Sequence, residues 1–324
     1  MPSDFQSYSE QLRPALETAF RERLAELMGD VPFASVSSFI DTLAAGKKIR
    51  GCLSCMICEA AGGALESAMP RAVAVELIQA ATLIHDDFVD HDSLRRNRPA
   101  AWTIEGARRA VLIGDVIFAA TIKSMNDLGR EDGAAVSQAI AEVSLGALQE
   151  PLEPMALVRA IESAGFDARL YKKIIRLKTG MLFATACALG AIAAGTDDAF
   201  KKTSYEYGLR IGAAYQIADD LKEVRAILEK GNFHLEESVA MAPALLCFAA
   251  DRISDVLVLL KDGSGNLCES SAGLLRAVAW SMERDIELSL QAAASQLDGI
   301  ISTNGHGALA LRAPWDIVRM FNES

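Results

Sequence analysis

Proline is scarce in this chain, nine residues in 324, and aromatic side chains make up only 6% of it. So little proline in a sequence that is 51% hydrophobic excludes a disordered or turn-rich repeat protein and leaves material for a large packed core. Basic residues are also short: 32 Lys and Arg stand against 43 Asp and Glu, a formal charge of -11. That balance excludes nucleic acid or an anionic membrane surface as partner for the whole molecule. A local group of Lys, Arg and bound metal can still hold a small anion. The opening MPSDFQSYSEQLRP lacks the basic and apolar regions of a secretory signal. The most apolar stretch, Leu182 to Gly195, is about four turns and too short to span a bilayer. The expectation is a soluble cytoplasmic protein with no stable membrane insertion.

Six cysteines fit reduced thiols better than a disulfide framework. Cys52, Cys55 and Cys58 stand three apart inside a helical pattern, along one face, with no nearby fourth ligand. They read as small apolar core residues.

Strand alternation of useful length is missing too, and helical periodicity takes its place. It predicts helices at Phe5 to Met28, Ala72 to Asp90, Arg108 to Asp127, Gly133 to Gln149 and Ala168 to Ala194. Further ones follow at Thr203 to Glu229, Ser238 to Leu260 and Ala272 to Gln296. The breaks carry turn chemistry, as in Gly62-Gly63 and Asn97-Arg98-Pro99. Lys261 to Ser271 reads as a polar, Gly-rich loop. Nothing resembles an interdomain linker, so the expectation is one all-α domain over 1–324.

Chemistry concentrates where the second predicted helix ends, in His85-Asp86-Asp87-Phe88-Val89-Asp90, followed by Arg95 and Arg96. Asp86 and Asp90, four apart, point the same way on a helix and repel. A hard divalent cation resolves that conflict and keeps positions open for phosphate oxygens. Asp87 points about 100° away and supports the site rather than binding directly. Arginine matches phosphate oxygens bidentately, so carboxylates for metal beside arginines for phosphate suit diphosphate chemistry. A solvated acidic helix end balanced by arginines is the plain alternative. A second cluster, Asp219-Asp220-Leu221-Lys222-Glu223, again sets carboxylates four apart after an apolar turn. Two such helices face to face would grip one diphosphate through magnesium. Gly46-Lys47-Lys48-Ile49-Arg50 occupies a loop-to-helix junction, where free N–H groups already favour anions. Lys178-Thr179-Gly180 interrupts an apolar helix and would flank the second acidic cluster.

From Ala45 to Glu223 these motifs resemble the trans-isoprenyl (polyprenyl) diphosphate synthases. The resemblance implies an isoprenoid-synthase-type fold, a single large helical bundle around a central apolar cavity, together with a homodimer and condensation of isopentenyl diphosphate with an allylic diphosphate. By the same likeness Asp86, Asp90 and Asp219 hold Mg2+, and Arg95 touches the allylic diphosphate. Lys47, Arg50, Gln79 and Arg96 bind isopentenyl diphosphate, and Lys178, Thr179 and Gln216 serve the allylic side. Asp86, Asp90, Asp219 and Lys178 carry the catalysis.

The chain departs from the family pattern in three places. Glu223 replaces an aspartate, no lysine of the K-x-T-x-P element appears in Leu235 to Pro243, and G-Q-x-x-D/E becomes Gly146-Ala147-Leu148-Gln149-Glu150. Small residues Ala81 and Thr82 before the first motif leave a product tunnel open, with Phe118 as a deeper floor, which implies geranylgeranyl or longer products. Two other readings stay open: a class I terpenoid cyclase, and a catalytically weak subunit that modulates a partner synthase. The cyclase needs no second diphosphate site, so Lys47, Arg50 and Arg96 speak against it.

Overall fold

The Asp4 carboxylate accepts the Ser7 N–H at 2.8 Å and starts the first helix, α1 (Phe5–Met28). The computed structural model describes residues 4–29, 36–95, 98–150, 159, 162, 167, 169–233, 235–261 and 265–322. The chain continues through α2 (Val36–Ala44), α3 (Ile49–Ala60), α4 (Leu65–Val89), α5 (Ala101–Glu105), α6 (Ala107–Leu128) and α7 (Arg130–Leu148). Then come α8 (Leu170–Ile175), α9 (Met181–Ala193), α10 (Asp198–Lys230), α11 (Leu235–Phe248), α12 (Ile253–Lys261), α13 (Glu269–Leu297) and α14 (Gly305–Asn322). The fold is all-α, as the periodicity predicts. Among the described residues the only sheet is a two-residue pair, β1 (Leu94–Arg95) antiparallel to β2 (Arg98–Pro99), in the turn after α4.

The long helix α10 lies against both α9 and α13, and α4 packs on α3, α6 and α9. One buried cluster joins α1, α3, α4 and α14 through residues such as Phe20, Leu53 and Ile317. A second gathers α10 to α13, and a third lies between α4, α7 and α9. Cys52, Cys55 and Cys58 are buried, as expected of core thiols. Burial pushes the Cys52 thiol up to about 12 and that of Cys58 to about 11.

Several expected boundaries move. Helix α4 starts at Leu65 rather than Ala72 and runs through Pro70. The single span predicted for Ser238 to Leu260 is two helices. Ala249, at φ -126° and ψ 40°, breaks it, and a 3-10 turn follows at Ala250–Arg252. This tightened turn resets the phase so that Leu245 and Leu259 reach the same buried cluster. In the predicted loop, Phe233 N–H donates to the Gly265 carbonyl at 2.9 Å and Leu267 N–H to that of Gly231 at 3.1 Å.

The apolar stretch also extends further than Leu182 to Gly195. Residues Leu170–Ala193 form a continuous helical run, long and apolar enough to cross a membrane by length and composition, with mean hydropathy 1.3. However, 78% of its apolar window is buried inside the fold, as in the core helix of a large bundle. Helix α14 has no counterpart among the sequence expectations. It buries Leu309, Ala310, Ala313 and Ile317, and its buried Asp316 accepts the Phe5 N–H at 3.0 Å, where the N-terminal dipole of α1 favours a carboxylate.

Candidate active site

A cavity of about 780 Å³ opens where α4, α10, the turn into α3 and the junction of α8 with α9 converge. Helix α4 contributes Gln79, Asp86 and Asp90, and β1 contributes Arg95. The turn into α3 brings Lys47 and Arg50, the α8–α9 junction Lys178 and Thr179, and α10 Gln216 and Asp219. The sequence-predicted site residues therefore line one hollow, except Arg96, which lies outside the described residues. The wall is not apolar throughout. Charged groups gather around it, with Ala80, Leu83, Phe118, Val143 and Leu182 forming its apolar parts.

Asp90 directly follows α4, and its N–H still bonds the Asp86 carbonyl at 2.8 Å, so helical spacing is kept. Burial raises the Asp86 carboxyl above the usual carboxylate range. Lys178 opposes this and Asp90 adds to it. Asp219 is raised in the same way, by burial against the pull of Lys222 and Lys178. None of the Asp86, Asp90 and Asp219 side chains makes a hydrogen bond or ion pair among the described residues. Asp87 turns inward, 3% exposed, and both Nε and Nη2 of Arg95 approach its Oδ1 to 2.5 Å. Asp87 thus sets the direction of an arginine on the cavity wall.

Lys178 lies in a π turn, Arg176–Gly180, a widened step of the kind that re-aims side chains at functional sites. Two glycines let neighbouring helices close on this turn. A Cβ on Gly146 of α7 would lie 2.6 Å from Lys178 N, and one on Gly212 of α10 would lie 2.7 Å from Gly180 Cα. The Lys178 ammonium donates to Glu150 Oε2 at 2.5 Å. Burial alone would lower the Lys178 pKa, but Glu150 and Asp86 outweigh it and raise it. Thr179 Oγ1 donates to Gln216 Oε1 at 2.6 Å, and Gln216 Nε2 donates to Asp220 Oδ1 at 3.0 Å. Tyr171 donates its hydroxyl to Asp220 Oδ2 at 2.5 Å. Burial pushes the Asp220 carboxyl up to about 6, against these two hydrogen bonds. Of the second acidic cluster only Asp219 lines the cavity; Glu223 is exposed and stands outside it.

Several contributors were not read from the sequence. Glu150 had a signal in its spacing from Gly146. His85 lines the cavity with Nε2 3.1 Å from the Val111 carbonyl and 3.5 Å from Asp115 Oδ1, its ring edge-on to Phe118. The end of α14 closes one side and had no local signal at all. Lys47 Nζ donates to the Met320 carbonyl and Lys222 Nζ to that of Phe321, each at 2.5 Å, satisfying acceptors that a helix end leaves over. The Phe321 ring lines the cavity, 4.7 Å from that of Tyr215.

Half-buried Asp86 and Asp219 and exposed Asp90, none with a hydrogen-bonding partner among the described residues, border one hollow and are a donor set suited to a hard divalent cation. Among the described residues no three His, Cys, Asp or Glu side chains converge closely enough to hold a metal by themselves. A ligand bringing its own oxygens would complete the set.

Residues 35–231 match the polyprenyl synthetase family. Component 2 of the heptaprenyl diphosphate synthase of Geobacillus stearothermophilus is 30% identical over 277 residues, 82% of this chain and 83% of the relative. A (2E,6E)-farnesyl diphosphate synthase of Mycobacterium tuberculosis is 36% identical over 179 residues, spanning 54% of this chain and about half, 48%, of the relative. Among solved structures, a polyprenyl synthase from Caulobacter crescentus, complexed with calcium and isoprenyl diphosphate, superposes with a TM-score of 0.72. It is 23% identical and is covered over 98% of both chains. With the fold, the cavity and these alignments in agreement, the chain belongs to the polyprenyl synthetase family and is a prenyltransferase.

Proposed function

We propose that this prenyltransferase joins isopentenyl diphosphate to an allylic diphosphate with the help of magnesium, giving a geranylgeranyl or longer product. The observation that carries the reading is the meeting of Asp86, Asp90 and Asp219 with Lys47, Arg50, Arg95 and Lys178 around one cavity. Asp86 and Asp90 on one wall and Asp219 on the other would hold magnesium, which supplies positive charge to a diphosphate leaving group. Arg95, steadied by Asp87, and Lys178, steadied by Glu150, add fixed positive charge on the allylic side. Lys47, Arg50 and Gln79 hold isopentenyl diphosphate, with its double bond directed at the allylic carbon. As the allylic C–O bond breaks, a C–C bond forms and the lost proton passes to the departing diphosphate. Leu83, Phe118 and Leu182 keep water from the cationic carbon.

The test is purified protein with labelled isopentenyl diphosphate, an allylic primer and magnesium. Metal-dependent chain elongation is expected. Diphosphate release without incorporation would point to a terpenoid cyclase, and silence unless a second protein is added would point to a subunit of a hetero-oligomer. The last reading draws on the relatives called component 2 of heptaprenyl diphosphate synthase. We propose a homodimer, formed by a single-domain chain in the cytoplasm. Exposed Leu112 and Val116 on α6 and Leu145 and Leu148 on α7 offer the apolar surface for a second copy. Sedimentation of the same preparation decides: a monomer active only with another chain would sink the homodimer.

Product length follows from the apolar floor. Phe118, edge-on to His85, stands on α6 and lines the same cavity as Thr82 of α4. Phe118→Ala is expected to lengthen the main product by at least one isoprene unit, read by chromatography of the dephosphorylated products. An unchanged product spectrum would remove Phe118 from the floor.

A further inference from the structure

Lys48 adopts φ 53° and ψ 35°, one of two non-glycine residues with positive φ among those described. A lysine held in left-handed backbone needs compensation from its surroundings. The compensation is visible: the side chain is buried, with Nζ 3.8 Å from the centroid of the Phe20 ring on α1 and 3.5 Å from the Leu43 carbonyl at the end of α2. Lys48 is also the residue before α3, and its own side chain makes no cap to that helix. The cap comes from elsewhere. Glu76, 7% exposed on α4, accepts the Gly51 N–H through Oε1 at 2.8 Å. The beginning of α3 is thus fixed from two sides, by a cation on Phe20 and by a carboxylate from α4. Lys47 and Arg50 stand on either side of this fixed point, and they line the cavity together with Lys48 and Glu76.

We propose that Lys48 and Glu76 are positioning residues that aim Lys47 and Arg50 at the diphosphate of isopentenyl diphosphate. The proposal rests on the substrate reading above and adds what holds that half of the site in place. Both border the cavity, but their polar ends are engaged within the protein, Lys48 Nζ on Phe20 and the Leu43 carbonyl and Glu76 Oε1 on the Gly51 N–H. Lys48 fixes the turn through which Lys47 enters the wall, and Glu76 fixes the first helical turn that carries Arg50. A displacement of about an ångström at a charged anchor is enough to weaken binding by one to two orders of magnitude.

The test compares Lys48→Met, Lys48→Arg, Glu76→Ala and Glu76→Gln in the full-length protein. Lys48→Met and Glu76→Ala are expected to raise KM for isopentenyl diphosphate at least about tenfold, leaving KM for the allylic diphosphate and kcat within about twofold. Lys48→Arg, which can still stack its cation on Phe20, and Glu76→Gln, which still offers an acceptor, are expected to restore most of the loss. Titration calorimetry with isopentenyl diphosphate should show the same order of affinities. Hydrogen exchange of the Gly51 and Cys52 amides supplies a readout that needs no activity, and it should quicken in Glu76→Ala. A lowered melting temperature with both KM values unchanged, or equal losses on both substrates, would overturn the proposal. If the unmodified protein bound no isopentenyl diphosphate, the substrate reading would fall. The exchange result would then still decide whether Glu76 holds the start of α3.

Discussion

Asp86→Ala is expected to lower metal-dependent chain elongation by at least about a hundredfold to a thousandfold, the range for removing one preorganised stabiliser of developing charge. The same substitution is expected to leave the melting temperature unchanged or slightly higher. Asp86 has no hydrogen bond or ion pair among the described residues, and burial disfavours its charged form. Removing such a group relieves a penalty and leaves Lys178 its ion pair with Glu150. Activity and stability should therefore separate, a combination that distinguishes a ligand-holding group from a structural one. Steady-state rates together with calorimetry on one preparation check it. A variant that elongates at the wild-type rate would end the metal role of Asp86, and a melting temperature several degrees lower would assign it to packing.

The features that sequence revealed best are those written in local spacing. Asp86 and Asp90 share a direction because a helix returns to the same side every four residues, and the structure keeps that register to the last turn of α4. Gly46 to Arg50 could be placed at a loop-to-helix junction because glycine and adjacent cations precede an apolar periodic run, and α3 does begin at Ile49. Lys178 stood out as a cation within an apolar helix, but the π turn that re-aims it is invisible to a pattern counted at 3.6 residues per turn. In the second cluster the four-residue spacing misled. Asp219 faces the cavity, whereas Glu223 is exposed and Asp220 turns to Tyr171 and Gln216. Which carboxylate faces the hollow depends on how α10 is rotated against α9 and α13, and that rotation is fixed by close approaches such as Gly212 to Gly180. Phe321 and the Met320 carbonyl lie beyond any local reading, since they join the site through contacts with Lys222 and Lys47, 99 and 273 residues earlier in sequence. Glu76 escaped for a different reason: a lone acid in a helix reads as surface charge until Gly51 of another helix is seen beside it.

The acidic helix end has a counterpart at the other end of α4, where a carboxylate does the opposite work. Asp132, in the first turn of α7, takes the Arg71 guanidinium side-on, with Nε to Oδ1 at 2.6 Å and Nη2 to Oδ2 at 2.9 Å. Arg71 also donates to the Ser67 carbonyl at 2.8 Å, and the two side chains are only 14% and 4% exposed. A buried bidentate pair of this kind resists loss of one partner far more than loss of both, because the survivor keeps an uncompensated charge away from water. Asp132→Ala is therefore expected to cost about 3–5 kcal/mol of stability, measured by chemical denaturation. The double variant Arg71→Met with Asp132→Leu is expected to recover most of that loss. Fifteen residues of helix put this pair roughly 22 Å from Asp86, so the KM values of whatever single-variant protein folds should stay near wild type. A single variant as stable as the parent would mean that water reaches the pair. A double variant as unstable as the single one would mean that its geometry, rather than its charge balance, holds α4 to α7.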